Sequence, residues 1–343
     1  MTQPQGTAEM GRSADPGPMI DIRNLSLTGT GGVRILDDVS LSFRTGETLG
    51  LLGESGSGKS MTALAILGLL PRGVHVESGS ITVAGTDVVG ASEATLRRLR
   101  ASTLGMVFQD PTSALDPTMK VGIQITEAGR RNGSLSRSEA NAQAVDLLSR
   151  VEISDPHERA DLYPHQMSGG MRQRAVIAMA LAGNPTVILA DEPTTALDAT
   201  VQGKILDLLT TLKDEQGLGL LLISHDLRVL SHVADRVVVM YAGRIVETGP
   251  TDQVLSQPQH WYTSALIDSI PSVRSTRRVR PIGGTPASPA TRPSGCPFHP
   301  RCAAATAICS EKMPDTTVSE TPSGPRTLAC HHPKGLTDDA HSH

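Results

Sequence analysis

The feature that most constrains this fold is a glycine-rich loop at residues 53–60, which follows the pattern Gly-x-x-x-x-Gly-Lys-Ser. The apolar run 47–52 before it predicts a buried strand, and the run 60–70 after it predicts a helix. Glycines in such a loop let successive backbone N–H groups point at phosphate oxygens, and the helix contributes the positive end of its dipole. Strand, loop and helix together predict an α/β domain with a nucleoside-triphosphate site.

Individual positions of the loop have distinct expected roles. The Lys59 ammonium supplies a positive charge for the β- and γ-phosphates, and the Ser60 hydroxyl is a ligand for Mg²⁺. A glycine-rich turn that carries Lys-Ser by chance is the alternative, and the flanking strand and helix argue against it. The residues predicted to contact the nucleotide here are Gly53, Glu54, Ser55, Gly56, Ser57, Gly58, Lys59, Ser60 and Met61.

A second predicted strand, residues 186–190, ends in the acidic pair Asp191 and Glu192. At the carboxyl end of a parallel strand, side chains face the ligand crevice of an α/β sheet. We expect Asp191 to hold Mg²⁺ and Glu192 to orient and polarise the attacking water. An apolar run that ends in Asp-Glu is often only a strand meeting a loop, so this prediction depends on the glycine loop.

Two more polar residues follow predicted strands. Gln109 comes after residues 105–108, where it is expected to reach the metal and the attacking water. His225 comes after residues 218–224, where it is expected to contact the γ-phosphate and to fix Glu192. Each residue, taken singly, is more often structural. Their shared position at strand ends predicts a catalytic role for both.

The order of predicted elements indicates a largely parallel sheet. Apolar runs such as 186–190 and 218–223 are continuous rather than alternating, which is typical of strands covered on both faces. The run 19–27 also predicts a strand, but its apolar and polar residues alternate. About residues 110–183 look helical. Because only 2% of residues are aromatic, the core must be built mainly from aliphatic side chains and Met.

Composition and charge argue against several classes of protein. The net charge is −4, and the one basic cluster, residues 274–280, lies in a Pro/Gly-rich stretch, so we expect no nucleic-acid partner. The longest apolar runs fall well short of the roughly 20 residues that a bilayer requires. Residues 1–18 lack the apolar segment of a signal peptide and are expected to be disordered. We therefore expect a cytoplasmic protein that reaches a membrane only through partners.

Ser168, Gly169 and Gly170, continued by Met-Arg-Gln, resemble the signature of ABC transporter ATPases. A helix N-terminus with bare glycines can approach a γ-phosphate. The order of all the motifs, including residues 195–198 that look like the ABC D-loop, extends the resemblance over about residues 19–270. The resemblance implies ATP and Mg²⁺ as cofactors and a head-to-tail pair of ATPase subunits. In that pair the three signature residues approach the partner's ATP, and Asp198 belongs to the nucleotide site.

A narrower resemblance, to the oligopeptide/dipeptide and nickel importer ATPases, lies in residues 109–117 with 121–122, 163–174, 198–206 and 260–263. In that family a Pro commonly occupies the position of Trp261. The resemblance implies ATP hydrolysis that energises import of di- and oligopeptides at the cytoplasmic face of the membrane. It also implies a second ATPase subunit, identical or homologous, two transmembrane permease subunits and, indirectly, an extracytoplasmic peptide-binding protein. The alternatives are an importer of nickel or another small solute and, more remotely, a non-transport ABC ATPase.

One position departs from the ABC pattern. ABC ATPases commonly stack the adenine on an aromatic residue just before the second strand, yet no Phe, Tyr, Trp or His precedes Phe43. Val33 and Arg34 are the candidate replacements, the latter through stacking of its guanidinium.

The four cysteines, Cys296, Cys302, Cys309 and Cys330, all lie near the C-terminal end with the spacing C-x5-C-x6-C-x20-C. In a cytoplasmic chain such clustering favours a metal over disulfides, and the spacing lacks the two close pairs of a zinc ribbon. Four thiolates suit a [4Fe–4S] cluster, and zinc, unmetallated thiols or a disulfide are the alternatives. Residues 295–302 resemble the C-terminal cysteine motif of peptide-importer ATPases.

These observations define the predicted organisation. Residues 1–18 are a disordered N-terminus, residues 19–270 the ATPase domain, residues 271–294 a linker and residues 295–343 a small Cys-rich extension. The resemblance implies a P-loop NTPase fold of ABC type. Its mostly parallel α/β core carries an antiparallel β subdomain and an inserted helical subdomain at about residues 110–183.

Overall fold

The computed structural model describes residues 17–131, 133–195, 197–269 and 281–335. Most of the predicted disordered N-terminus, the first part of the linker with its basic cluster, and residues 336–343 lie outside the described residues. No helix within the described ranges is long and apolar enough to cross a bilayer.

The strands form two sheets, and they are numbered here in chain order. They are β1 (Ile20–Thr28), β2 (Arg34–Phe43), β3 (Thr48–Leu52), β4 (His75–Val83), β5 (Thr86–Asp87), β6 (Leu104–Val107), β7 (Val187–Asp191), β8 (Gly219–Ser224), β9 (Arg236–Tyr241), β10 (Arg244–Pro250), β11 (Thr317–Thr321) and β12 (Gly324–Leu328).

The larger sheet has the order β11-β12-β10-β9-β3-β8-β7-β6. Strands β6, β7, β8, β3 and β9 are parallel neighbours, whereas β9, β10, β12 and β11 pair antiparallel. The smaller sheet, with the order β2-β1-β4-β5, is antiparallel throughout. The mostly parallel core that the apolar runs predict and the separate antiparallel sheet that the resemblance implies are therefore both present.

The parallel strands are buried on both faces, which explains their continuous apolar runs. Ile188 and Leu220 belong to one hydrophobic cluster, and the next residues along each strand, Leu189 and Leu221, belong to the other. Successive side chains of a strand point to opposite faces, so the sheet separates two cores. This packing fixes the strand ends, and therefore the residues that follow them.

The helices are α1 (Lys59–Ile66), α2 (Glu93–Ser102), α3 (Pro111–Ala114), α4 (Val121–Ile125), α5 (Glu127–Arg131), α6 (Arg137–Arg150), α7 (Pro156–Ala160), α8 (Gly169–Leu181), α9 (Ala199–Gln216), α10 (Leu227–Val233), α11 (Thr251–Ser256), α12 (Trp261–Asp268) and α13 (Ala307–Glu311). Helices α3 to α8 follow β6 without an intervening strand and form the helical insertion. The longest of them begins with a capping box, in which Ser136 accepts from the Glu139 amide and Glu139 accepts from the Ser136 amide.

Residues 295–335, the described part of the Cys-rich extension predicted for residues 295–343, share the sheet and the core of the ATPase domain. Strand β12 pairs with β10, and Cys296, Phe298 and Cys309 belong to the main hydrophobic cluster. A buried ion pair, 2.5 Å between Arg326 and Glu247, joins the same two strands. A segment this short has too little core to fold alone, and the sheet edge supplies the apolar surface that it lacks.

Candidate nucleotide site

A cavity of about 950 Å³ opens where the parallel strands end. All of the predicted loop residues line it except Ser57, and Gln109, Glu192 and His225 line it as well. Ser57 instead points into the protein, with 3% of its surface exposed, and its carbonyl accepts from the Gly243 amide at 2.8 Å. The structure thus brings the residues of four separate sequence motifs to one cavity.

The loop between β3 and α1 requires glycine at two positions for different reasons. Gly58, which precedes the first residue of α1, has φ = 107°, a conformation that side-chain-bearing residues rarely adopt. A Cβ on Gly53 would lie 2.3 Å from the Met240 carbonyl oxygen, so only glycine fits there. These two positions set the curl of the loop around the cavity.

Lys59 begins α1 and curls back over the loop. Its Nζ donates to the Gly53 carbonyl at 2.7 Å and to the Glu54 carbonyl at 3.0 Å. Burial lowers the pKa of this ammonium, against the opposing attraction of Glu192, Asp191 and Glu54. The desolvated Lys59 ammonium is held by two neutral carbonyls and has no anionic hydrogen-bond partner among the described residues. It can exchange the carbonyls for phosphate oxygens, whose negative charge strengthens the hydrogen bonds.

Asp191, the last residue of β7, lies beneath the loop. It is 8% exposed, and burial raises the pKa of its carboxyl despite a hydrogen bond from the Ser60 side chain. Its Oδ1 has no hydrogen-bond donor among the described residues. A buried carboxylate oxygen without a donor, next to a hydroxyl, is a suitable place for a hydrated cation.

Three side chains converge on one oxygen of Glu192, the residue after β7. Its Oε2 accepts from Gln109 Nε2 at 3.1 Å and from Thr195 Oγ1 at 2.9 Å, and it lies 3.1 Å from His225 Nδ1. Glu192 itself has φ = 46°, uncommon for a residue with a side chain, and its amide donates to the Ile223 carbonyl at 3.0 Å. The carboxylate is therefore held in place at the edge of the cavity.

The signature residues lie elsewhere in the single chain. Ser168 caps α8 by accepting from the Met171 amide at 3.3 Å, and Gly169 begins that helix. Asp198 caps α9 by accepting from the Thr200 and Val201 amides at 3.1 and 3.0 Å. Neither Ser168 nor Asp198 lines the cavity, although both are exposed. Both helix N-termini are therefore accessible to another molecule.

Comparisons with known proteins identify the family of this chain. Residues 36–195 match the family described as ABC transporter, and residues 246–309 match the family described as oligopeptide/dipeptide transporter, C-terminal region. A provisionally named peptide import ATP-binding protein of Brucella abortus is 46% identical over 301 residues, which cover 87% of this chain and 91% of that protein. The chain belongs to the ABC transporter ATP-binding proteins.

Further relatives agree with this assignment. A provisionally named peptide import ATP-binding protein of Brucella melitensis is 45% identical over 313 residues, covering 87% of this chain and 93% of the relative. Among solved structures, the dimeric ATP-binding cassette MJ0796 bound to ADP and phosphate aligns with a TM-score of 0.61 at 28% identity, over 68% of this chain and 99% of that one. The protein cbiO1 from Clostridium perfringens aligns with a TM-score of 0.62 at 28% identity, over 70% and 91%.

Sequence reasoning missed several residues of this ABC ATPase site. Thr195 received no role, although it lies in the D-loop stretch three residues after Glu192. Tyr262 accepts from the Glu54 amide at 2.8 Å, and the Arg301 guanidinium forms two bonds with the Glu54 carboxylate, at 2.7 and 3.0 Å. No local spacing connects position 54 with position 301, so no sequence signal could have found that pair.

The candidates for the adenine platform have different environments from those expected. The Arg34 guanidinium binds the Glu77 carboxylate at 2.5 Å and the Asp37 carboxylate at 3.2 Å. Neither Arg34 nor Val33 lines the cavity, whereas Ile35, the next residue of β2, does. The Arg34 guanidinium is occupied by carboxylates, and the side chain from this part of β2 that faces the cavity is the aliphatic Ile35.

The four cysteines line one small cavity of about 20 Å³ beside α12. All four are free thiols, and burial raises the pKa of Cys296 and of Cys330 to about 11. The cavity has room for about one water molecule. Among the described residues, no group of three or more His, Cys, Asp or Glu is arranged to hold a metal. The structure therefore brings the four thiols to one cavity without arranging them as a metal site.

Proposed function

We propose that this chain binds MgATP in the cavity and hydrolyses it to energise the import of di- and oligopeptides. It acts with two transmembrane permease subunits, at the cytoplasmic face of the membrane, and an extracytoplasmic protein delivers the peptide. The names of the relatives and the match of residues 246–309 support the peptide substrate. The observation that carries the proposed hydrolysis is the carboxylate of Glu192, held by three side chains at the edge of the phosphate loop.

The residues around Asp191 suit Mg²⁺. The Ser60 hydroxyl, the Gln109 side chain and the Asp191 carboxylate would hold the ion, together with phosphate oxygens and water. When bound, Mg²⁺ neutralises charge on the β- and γ-phosphates. Lys59 supplies a second positive charge after it exchanges its carbonyl partners for phosphate oxygens.

Hydrolysis requires a water aligned with the γ-phosphorus. Glu192 accepts a hydrogen bond from that water and takes its proton as the O–P bond forms and the bond to the ADP oxygen breaks. Gln109 and Thr195 fix the carboxylate from two sides. His225, 59% of whose side chain is exposed, can turn from Glu192 towards the γ-phosphate without breaking a packed core.

The site of one chain is incomplete, because the signature helix does not reach the cavity of its own chain. A second ATPase subunit, identical or homologous, would place its Ser168, Gly169 and Gly170 at the γ-phosphate, where the α8 N-terminus favours negative charge. The dimeric cassette MJ0796 is a precedent for such pairing. ATP then joins two subunits, and hydrolysis lets them separate.

Replacing the proposed base tests this assignment. Glu192→Gln keeps the size and the hydrogen-bonding reach of the side chain but cannot take the proton, so the ATPase rate should fall roughly 10²–10⁴-fold. ATP binding should remain, and ATP should now hold the chain as a dimer in light scattering. The control is Glu215→Gln, on the exposed side of α9, which should match the parent. Hydrolysis at the parental rate in Glu192→Gln would refute the role of this residue.

We further propose that the four cysteines bind a [4Fe–4S] cluster with a structural role, rather than zinc. The support is their convergence on one cavity and the ligand softness of four thiols. Cluster binding would require the thiols to rearrange, because no metal-holding group occurs among the described residues. Protein purified without oxygen should contain about four irons and four sulfides per chain and absorb visible light. Zinc alone, or protein free of metal, would eliminate the cluster.

A further inference from the structure

One part of the lining of the nucleotide cavity is aliphatic. Ile35 of β2 contributes to it, together with Pro281, Ile282 and Pro289, which come from beyond the last helix of the predicted ATPase domain. Apart from His225 at the hydrolytic end, no aromatic side chain occurs in the described lining. A purine bound here has no aromatic ring to stack on, and apolar contact must come from these residues.

The segment 281–289 is held against the domain at its C-terminal side by Arg292. This guanidinium donates to the Asp37 carboxylate at 2.9 Å and to the Arg34 carbonyl at 2.9 Å, both in β2. Its side chain is 13% exposed and that of Asp37 is 9% exposed, so the pair is shielded from water. The contact fixes the end of the segment next to Ile35.

Arg301 holds the other end of the segment. Its Nε donates to the Gly283 carbonyl at 2.9 Å, and its Nη2 lies 3.5 Å from the Ile282 carbonyl oxygen. The same guanidinium forms the two bonds with Glu54 in the phosphate loop, and its side chain is only 3% exposed. One planar group with several donors therefore ties the segment to the phosphate loop, which Lys could not do with a single ammonium.

The middle of the segment is attached to a group of buried aromatic rings. The Ala287 amide donates to the Tyr241 hydroxyl at 3.1 Å. The Tyr241 ring lies 4.6 Å from that of Tyr262 and 5.4 Å from that of Phe298. With both ends and the middle bound to buried groups, the segment is a fixed part of the cavity.

We propose that residues 281–289 form the wall that contacts the base of ATP, with Ile35 and Ile282 supplying apolar contact in place of aromatic stacking. The proposal rests on the proposed function, since it assumes that the cavity binds ATP. Arg301 is then a positioning residue: it contacts no nucleotide but fixes the distance between the wall and the phosphate loop. The C-terminal region takes part in nucleotide binding as well as in the fold.

The test separates the base from the phosphates. Full-length protein is titrated calorimetrically with ADP and, separately, with tripolyphosphate, which has no base. Ile282→Ala should weaken ADP binding roughly five- to tenfold and leave tripolyphosphate binding within twofold. The matched control is Ile308→Ala, an isoleucine of the same C-terminal region that is 44% exposed and away from the cavity, and it should change neither. The double variant Ile35→Ala/Ile282→Ala should lose more ADP affinity.

Each other outcome is informative. Unchanged ADP affinity in Ile282→Ala and in the double variant would overturn the proposal and leave the proposed function intact. Equal losses for ADP and tripolyphosphate would also overturn it, because the segment would then act on the phosphate loop and not on the base. Lys59→Ala should lose both ligands, and parental protein that binds neither would refute the proposed function itself.

Discussion

The two ends of the nucleotide cavity are lined by side chains of different chemical character, polar at one end and aliphatic at the other. At the hydrolytic end, Gln109, Thr195 and His225 surround one carboxylate oxygen of Glu192, and each follows a strand or its adjoining turn. At the base end, the wall is aliphatic, and its position depends on ion pairs between distant parts of the chain.

Because of this difference, we expect changes at the two ends to affect different properties of the enzyme, namely kcat and nucleotide affinity. A hydrogen bond to the Glu192 carboxylate matters when the water loses its proton, so its removal should lower kcat more than it weakens binding. An apolar contact with the base is the same before and after the chemical step, so its removal should weaken binding and leave kcat nearly unchanged. Variants at the two ends can therefore test whether the division is real.

Among residues to which the sequence analysis gave no role, we expect the largest effect on kcat at Thr195. Thr195→Val keeps the shape of the side chain but removes the 2.9 Å hydrogen bond to the Glu192 carboxylate, which is worth about 1.5–3 kcal/mol for a charged acceptor. We expect kcat to fall roughly 10–100-fold with ADP affinity unchanged. Steady-state ATPase assays and calorimetry measure the two quantities.

Thr195→Ser is the matched control, since it restores the hydroxyl and should recover most of the rate. If Thr195→Val lowered ADP affinity as much as kcat, the two ends would not be separate. If it changed neither, the hydrogen bond would have no catalytic importance.

The same contrast explains which features the sequence could predict. The phosphate loop and Asp191 with Glu192 were predictable because strand, loop and helix are contiguous, and parallel strands must end at one edge of the sheet. The roles of Ile282 and Arg301 were not predictable, because they depend on contacts between residues far apart in the sequence. Arg301 contacts Ile282 across 19 residues and Glu54 across 247 residues. For the same reason, the cysteine positions and the Pro/Gly/Ser-rich linker predicted a Cys-rich extension but gave no signal that β12 pairs with β10 of the larger sheet.

We expect a smaller effect on ADP affinity at Arg301. This residue positions the wall formed by residues 281–289 but does not contact the nucleotide in our proposal. Burial alone would lower the pKa of this guanidinium, but its bonds to Glu54 and Tyr241 outweigh that effect and raise it, so it stays charged at any working pH. Arg301→Met leaves the Glu54 carboxylate unpaired and frees the Ile282 and Gly283 carbonyls. We expect a stability loss of about 2–3 kcal/mol, seen as a lower Tm, and ADP affinity reduced roughly threefold more than tripolyphosphate affinity.

The ratio of the two affinities distinguishes positioning from mere structural support. If Arg301 only stabilised the fold, Arg301→Met would lower Tm and leave the ADP to tripolyphosphate ratio at the parental value. Arg301→Lys keeps the charge but can bond only part of the set, because one ammonium cannot reach the loop carboxylate and both carbonyls together. Arg301→Lys should recover most of the Tm, because the positive charge supports the fold. It should recover only part of the ratio of ADP affinity to tripolyphosphate affinity, because the several donors of the guanidinium set the distance from the wall to the phosphate loop.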